Sequence, residues 1–269
     1  MLPRTQIRRR KMPRETGQHT LDKLRILRQY LPVYLQATKG AIERVYVDAF
    51  AGPGRNRIRE TNEVVDGSPL IALDAKAKNG TRFDRYIFIE LIRDTAHELE
   101  TVVAEREDAR RIQVIRGDVN VELPRVIRTI NQRSPTFVFL DTEGIEPAWR
   151  TIEEIAPWRT ELLINFPLGM GINRNIDSDK IGRYFGTPEA RTIWDLAAPN
   201  WRRQLIDLYK RRLQDLGYSS PSDLDRLIKS RGGQHLYYLI HVSKVEAAKR
   251  IMRWVRKQAD ESGQLPLDM

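Results

Sequence analysis

The chain has 269 residues, of which 41% are apolar and 30% charged, enough apolar character for one large hydrophobic core. The absence of cysteine excludes disulfides and thiolate chemistry, and four scattered histidines argue against a histidine metal site. No apolar run approaches the roughly 18 residues of a membrane-spanning helix, and the basic N-terminus lacks the apolar stretch of a secretory signal, so we expect a cytoplasmic protein outside membranes.

The net charge of +10 is concentrated near the two ends of the chain. Residues 1–44 contain 11 Lys+Arg against 3 Asp+Glu, and residues 200–258 contain 14 against 5. A polyanion such as DNA or RNA would explain this distribution, and a solvated basic surface explains it equally well. The candidate phosphate-binding residues are Arg8, Arg9, Arg10, Lys11, Lys249 and Arg253.

The predicted elements begin after a basic arm, residues 1–18, that we expect to be disordered. Leucines at helical spacing predict a helix over 19–40. From there, short strands that are apolar on both faces alternate with helices, which is typical of a parallel sheet covered on both sides. The predicted strands cover 44–50, 85–90, 111–118, 136–141 and 161–167, and the helices between them cover 68–80, 93–110, 119–132 and 147–158.

The last third of the chain predicts helices near 188–197 and 200–216, a hairpin of strands 223–230 and 235–244, and a helix over 245–258. The whole pattern predicts an α/β fold: a single Rossmann-like domain over 19–258 with a mostly parallel seven-stranded sheet and an antiparallel C-terminal hairpin. Its cofactor-binding half would cover 45–142 and its substrate or partner half 143–258, followed by an acidic tail, 259–269.

The loop after the first strand, "DAFAGPG", places glycines where a doubly wound sheet binds its ligand. It lacks the Gly-Lys-Ser/Thr of a P-loop, and Arg57 replaces the third glycine of a dinucleotide fingerprint. The remaining interpretation is a loop that binds S-adenosylmethionine, with Asp48 meeting the amino-acid part of the cofactor.

Acidic residues end four successive predicted strands. Glu90 is placed to take both ribose hydroxyls, and Asp118 to accept from the adenine amino group with Val119 against the ring. Each acid alone is more often a cap or a solvated residue, but four at matching positions indicate a common crevice. The predicted cofactor-binding residues are Asp48, Phe50, Gly52, Gly54, Glu90, Asp118 and Val119.

The end of the fourth strand, "DTEGIEP", supplies the predicted catalytic residues Asp141 and Glu143. Asn165 and Arg174, at the exit of the fifth strand, are predicted to bind substrate. Two other chemistries stay open: a two-metal nuclease built on Asp141 and Glu143, and ribose 2′-hydroxyl methylation in which Lys244 and Glu246 join Asp141. We predict no bound metal.

The motifs "DAFAGPG", "FIE", "GD" and the strand-four acid resemble motifs I to IV of class I S-adenosylmethionine-dependent methyltransferases. More closely, "HTLDKLRILRQYL", "YVDAFAGPG", "GSPLIAL", "FIE", "FVFLD", "INFP" and "LYYLIHVSKVEAAKRIM" resemble the three-Cys-motif partner protein family, over about residues 19–254. The resemblance implies a methyltransferase-like fold and an association with a cysteine-motif partner protein.

Two functions follow from these observations. The leading one is S-adenosylmethionine-dependent methyl transfer to nucleic acid. The alternative is a methyltransferase-like binding protein without catalysis. The text after Asp141 favours this alternative because it lacks the Pro-Pro-aromatic motif of amino-directed methyltransferases.

Overall fold

A computed structural model describes residues 14–17, 19–142, 144–167, 172, 179–196, 199–219, 226–229 and 235–245. In these ranges the strands are β1 (Arg14–Thr16), β2 (Val45–Asp48), β3 (Arg55–Ile58), β4 (Val64–Asp66), β5 (Arg85–Glu90), β6 (Ile112–Arg116), β7 (Thr136–Leu140), β8 (Thr160–Phe166), β9 (Arg226–Lys229) and β10 (His235–Ser243). The helices are α1 (His19–Ala37), α2 (Ser68–Asp74), α3 (Arg93–Ala104), α4 (Val119–Ile127), α5 (Trp149–Ile155), α6 (Asp179–Phe185), α7 (Glu189–Asp195) and α8 (Trp201–Asp215), with a 3-10 turn at Ala109–Arg111.

Seven strands form the central sheet, in the spatial order β6-β5-β2-β7-β8-β10-β9. The five strands from β6 to β8 are parallel, whereas β10 runs antiparallel to both of its neighbours. This arrangement confirms the predicted mostly parallel, seven-stranded sheet and its antiparallel C-terminal hairpin. The strand order reverses between β2 and β7, which is where ligands bind in doubly wound sheets.

Two hydrophobic clusters cover the two faces of this sheet, because alternate residues of each buried strand point to opposite faces. Val45 and Val47 of β2 belong to the cluster that includes α4, α5 and residues of α6 to α8. Tyr46, between them, belongs to the cluster formed with α1, α2 and α3. Its ring stacks on Phe137 at a centroid distance of 5.9 Å. Burial on both faces explains why these strands read as continuous apolar runs.

A small second sheet, β1-β3-β4, corrects two predictions. The arm was expected to be disordered to residue 18, but Arg14–Thr16 forms a strand parallel to β3. The stretch between the glycine loop and residue 68 was expected to be a loop, but β3 and β4 form an antiparallel hairpin there. Backbone pairing stabilises these short strands, and no local apolar pattern predicts it.

Helix α2 is shorter than predicted, ending at Asp74 rather than at Gly80. The Arg82 guanidinium donates a hydrogen bond to the Leu73 carbonyl oxygen at 3.0 Å, and Ala77 N–H donates to the Thr81 carbonyl oxygen at 2.9 Å. These contacts take the place of the next helical turn. Among the described helices, none has both the length and the apolar character needed to cross a lipid bilayer. Residues 1–13 of the predicted arm and all of the predicted C-terminal helix and tail beyond residue 245 lie outside the described residues.

Candidate functional site

The four predicted acidic residues lie at one edge of the central sheet, where its parallel strands end. Asp48 is the last residue of β2, and it lies beside Phe88 of β5 and Phe139 of β7. Glu90 is the last residue of β5, while Asp118 and Asp141 follow β6 and β7. Because the strands are parallel neighbours, their carboxyl ends bring these side chains to the edge where the strand order reverses.

The glycine loop after β2 adopts backbone conformations that favour glycine. Gly52 has φ 65° and Gly54 has φ 84°, both in the left-handed region. Gly67 N–H donates a hydrogen bond to the Gly54 carbonyl oxygen at 2.7 Å, which closes the loop against the start of α2. A Cβ atom on Gly67 would lie 3.0 Å from that oxygen, so a larger residue would require the Gly54 carbonyl to move.

Glu90 holds this loop from the neighbouring strand. One carboxylate oxygen accepts from Gly52 N–H at 2.9 Å, and the other accepts from Ile92 N–H at 2.9 Å. The residue is buried. Glu90 therefore fixes the path of the loop, and the ribose contact predicted for it stays a prediction.

Asp48 lies below the loop and is fully buried. Its carboxyl group accepts hydrogen bonds from the Tyr46 hydroxyl and from Phe50 N–H, each at 3.3 Å, and from the Ser68 side chain. The pKa of Asp48 is raised to about 7, mainly by burial and also by the nearby Asp141 charge, although the hydrogen bonds from these three donors lower it. Asp48 is thus poised between its neutral and charged forms at neutral pH.

Asp118 is exposed, and it is the N-terminal cap of α4. Its Oδ1 accepts from the backbone N–H of Asn120 at 2.7 Å and from the Asn120 side chain at 3.0 Å. Val119, predicted to face a ring, is buried in the hydrophobic cluster under α4. The exposed apolar side chains that follow β5 and begin α4 are Leu91, Ile92 and Val121.

Asn120 is a site residue that the sequence analysis missed. Besides contacting Asp118, its side-chain oxygen accepts from Ala148 N–H at 2.7 Å and from the Thr151 hydroxyl at 2.8 Å. The end of β6 is therefore linked to the start of α5. The only sequence signal for it was an Asn at the second position of a predicted helix.

Asp141 contacts two side chains from other elements. Lys23 of α1 lies 2.7 Å from Oδ1 and 2.6 Å from Oδ2, and Asn165 of β8 donates to Oδ1 at 2.8 Å. Asn165 therefore reaches the site as predicted, whereas Lys23 was not predicted. The hypothesis that Lys244 joins Asp141 is wrong. Lys244 follows β10 at the opposite edge of the sheet, because β10 is antiparallel, and it donates to the Ala156 carbonyl oxygen.

Several predicted site residues lie outside the described residues: Glu143, Arg174, Glu246, Arg8, Arg9, Arg10, Lys11, Lys249 and Arg253. Within the residues that the structure does describe, no group of three or more His, Cys, Asp or Glu side chains is arranged to hold a metal ion.

The sequence matches no protein-family model and no curated protein. Among solved structures, the fold is similar to that of a Legionella pneumophila protein, at 12% sequence identity over 88% of this chain and 90% of that one, with a TM-score of 0.51. An O-methyltransferase from Bacillus cereus, in complex with SAH, matches at 13% identity over 81% of this chain and 80% of that one (TM-score 0.41). A candidate methyltransferase from Escherichia coli matches at 14% identity, 84% and 86% coverage, and a TM-score of 0.40. The strand order of the central sheet, with β10 antiparallel to both of its neighbours, is that of a Rossmann-like α/β fold.

Proposed function

We propose that the carboxyl edge of the central sheet binds S-adenosylmethionine and that the protein transfers a methyl group to nucleic acid. The observation that supports this most directly is the convergence of a left-handed glycine loop with acids from β2, β5, β6 and β7 at the point where the strand order reverses. When bound, the cofactor supplies an electrophilic methyl group.

The residues present suit the parts of that cofactor. Asp118 is exposed and uses Oδ1 for its cap contacts, so among the described residues Oδ2 is left to accept from the adenine amino group. Leu91 and Ile92 are 62% and 58% exposed, and a purine ring bound at this edge would cover them. Glu90 would meet the ribose, and the glycine loop above Asp48 would meet the amino-acid part.

The acceptor side would be formed by Asp141 and Asn165. Both side chains lie at the end of neighbouring strands, and Asn165 also donates to the Thr142 carbonyl oxygen at 3.2 Å. These polar groups would orient the methyl acceptor, which contributes to catalysis by fixing the attack geometry.

Nucleic acid is the acceptor class that the charge distribution supports. In the sequence, the basic excess of residues 1–44 and 200–258 flanks a mildly acidic centre, and these lysines and arginines would bind the phosphates of the substrate. We also propose a cysteine-motif protein as a partner, on the resemblance of the chain and on its lack of cysteine.

Calorimetric titration of S-adenosylmethionine into the purified protein tests the cofactor assignment. We expect micromolar binding, about −8 kcal/mol. Asp118→Asn keeps the Oδ1 atom that caps α4 but replaces Oδ2 by an NH2 group. This group cannot accept from the adenine amino group, so we expect roughly tenfold weaker binding. Asp195→Asn is the matched control, because Asp195 is paired with Arg191 of its own helix. No binding by folded wild-type protein would refute the assignment.

Methyl transfer is tested separately, by incubating the protein with labelled cofactor and either DNA or RNA, with and without the cysteine-motif partner. Incorporation of label into DNA or RNA would support the proposal that the protein is a methyltransferase. Cofactor binding without transfer in any of these mixtures would instead support the non-catalytic binding protein.

A further inference from the structure

Lys23 and Asp141 form an ion pair at the proposed acceptor site. The Lys23 ammonium contacts both carboxylate oxygens, and the two side chains are only 11% and 13% exposed. Lys23 also lies 5.8 Å from the centroid of the Tyr237 ring. An ion pair this sheltered is held in one geometry and is little screened by salt, unlike an exposed surface pair.

Asn165 of β8 also contacts this carboxylate. Its amide nitrogen must face Asp141 Oδ1 and the Thr142 carbonyl oxygen, because both of these oxygen atoms can only accept hydrogen bonds. The orientation of the amide is therefore determined, and it leaves Asn165 Oδ1 buried without a hydrogen-bond partner among the described residues. A buried amide oxygen without a partner is costly, and an N–H or O–H group of a ligand would relieve that cost.

The acceptor site thus combines a neutralised carboxylate with an unpaired amide oxygen. Asp141 cannot offer a full negative charge to an incoming group while Lys23 holds both of its oxygens. Binding a protonated amine there would require breaking a sheltered ion pair, whose separated charges are expensive to leave unpaired. A group without charge needs only to donate to the Asn165 oxygen.

We propose that Lys23 is a positioning residue of the acceptor site, where it neutralises Asp141 and so selects an uncharged acceptor, such as a base nitrogen or a hydroxyl group of nucleic acid, over a cationic amine. This inference rests on the proposed cofactor crevice, and it specifies the kind of group that the crevice methylates.

The charge balance can be measured without knowing the acceptor. S-adenosylmethionine carries a positive sulfonium and S-adenosylhomocysteine does not, so the ratio of their dissociation constants reports the local charge. The two ligands are titrated at pH 8 into the wild type, Lys23→Met, Asp141→Asn and the double variant. Lys23→Met exposes the Asp141 charge and should favour the sulfonium ligand by about tenfold relative to wild type. Asp141→Asn leaves Lys23 unpaired and should shift the ratio the opposite way.

The double variant is again neutral and should return the ratio to within about twofold of the wild-type value. Lys23→Arg, which keeps the charge, should also leave it unchanged, and circular dichroism of each variant verifies folding. If both ligands bind but the ratio stays constant in both single variants, the inference is wrong and the cofactor crevice stands. If neither ligand binds the wild type, the proposed function fails and the inference fails with it.

Acceptor selectivity gives the second readout. With labelled cofactor, we expect transfer to RNA or DNA and none to polylysine. Transfer to polylysine by the wild type would overturn the selection of an uncharged acceptor.

Discussion

The Glu90 carboxylate accepts a hydrogen bond from Gly52 N–H at 2.9 Å, so the end of β5 holds the loop that follows β2. The same carboxylate accepts from Ile92 N–H, at its other oxygen. A carboxylate can serve two backbone donors at once, whereas an amide offers one accepting oxygen. The geometry of the glycine loop therefore depends on the carboxylate group of a residue 38 positions later in the sequence.

Glu90→Gln tests this dependence. The amide nitrogen would face one of the two backbone N–H groups, so one buried donor would lose its partner. We expect the free energy of unfolding to fall by about 1–3 kcal/mol and cofactor binding to weaken, as measured by urea denaturation and by calorimetry. Glu100→Gln on α3 is the control, since its carboxylate contacts the exposed His97 and its replacement should change neither quantity. Equal stability of the two variants would contradict the role given to Glu90.

Asp48→Asn tests the buried acid below the loop. Its folded-state pKa, about 7, lies above its ordinary value of 3.8, so the folded protein keeps this proton while the unfolded chain releases it. Asp48 therefore contributes stability that is present below pH 3.8 and is lost as the pH rises through 7, about 4 kcal/mol in all. We expect the variant to be about 2–4 kcal/mol more stable than wild type at pH 8 and to bind the cofactor less well.

The measurement is denaturant unfolding of both proteins at pH 5 and at pH 8. The stability gap should widen as the pH rises, because only the wild type must ionise a buried group. A gap of the same size at both pH values would show that Asp48 does not titrate in this range.

Gly54→Ala and Gly80→Ala form a matched pair, because both glycines have φ 84°. The backbone cost, about 1 kcal/mol, should therefore be common to both variants. A Cβ on Gly54 would also lie 3.0 Å from Leu99 Cδ1, whereas a Cβ on Gly80 would have nothing within 4 Å. We expect thermal unfolding to show a larger loss for Gly54→Ala, and only that variant to lose cofactor binding. Equal effects would indicate that the loop has room for a side chain.

Comparing Tyr30→Phe with Tyr34→Phe measures how much a hydroxyl group contributes to the free energy of unfolding when the ring is kept. Both rings lie on α1 and pack near Phe137. The Tyr30 hydroxyl donates to Glu161, which also pairs with His241 at 3.0 Å, whereas the buried Tyr34 hydroxyl has no hydrogen-bond partner among the described residues. Tyr30→Phe should cost about 1–3 kcal/mol of unfolding free energy and Tyr34→Phe less than about 0.5 kcal/mol. A larger loss for Tyr34→Phe would reverse this assignment.

The sequence by itself determined the elements of the central sheet and the acids at their ends. Strand β5 has the predicted limits, because a strand buried on both faces is a continuous apolar run and Glu90 ends it. The direction of the chain through parallel strands then placed Asp48, Glu90, Asp118 and Asp141 at a common edge, which needed no knowledge of side-chain contacts.

Only the tertiary structure decided which partners these acids have. Lys23 meets Asp141 across 118 positions because α1 packs against the sheet face beside β7, and no local spacing encodes that distance. Lys244 is closer to Asp141 in the sequence than Lys23 is, yet it lies at the opposite edge of the sheet because β10 is antiparallel. The pairing of β1 with β3 is likewise non-local. Periodicity reports how a segment is buried, whereas the contacts of a charged side chain depend on how distant segments pack.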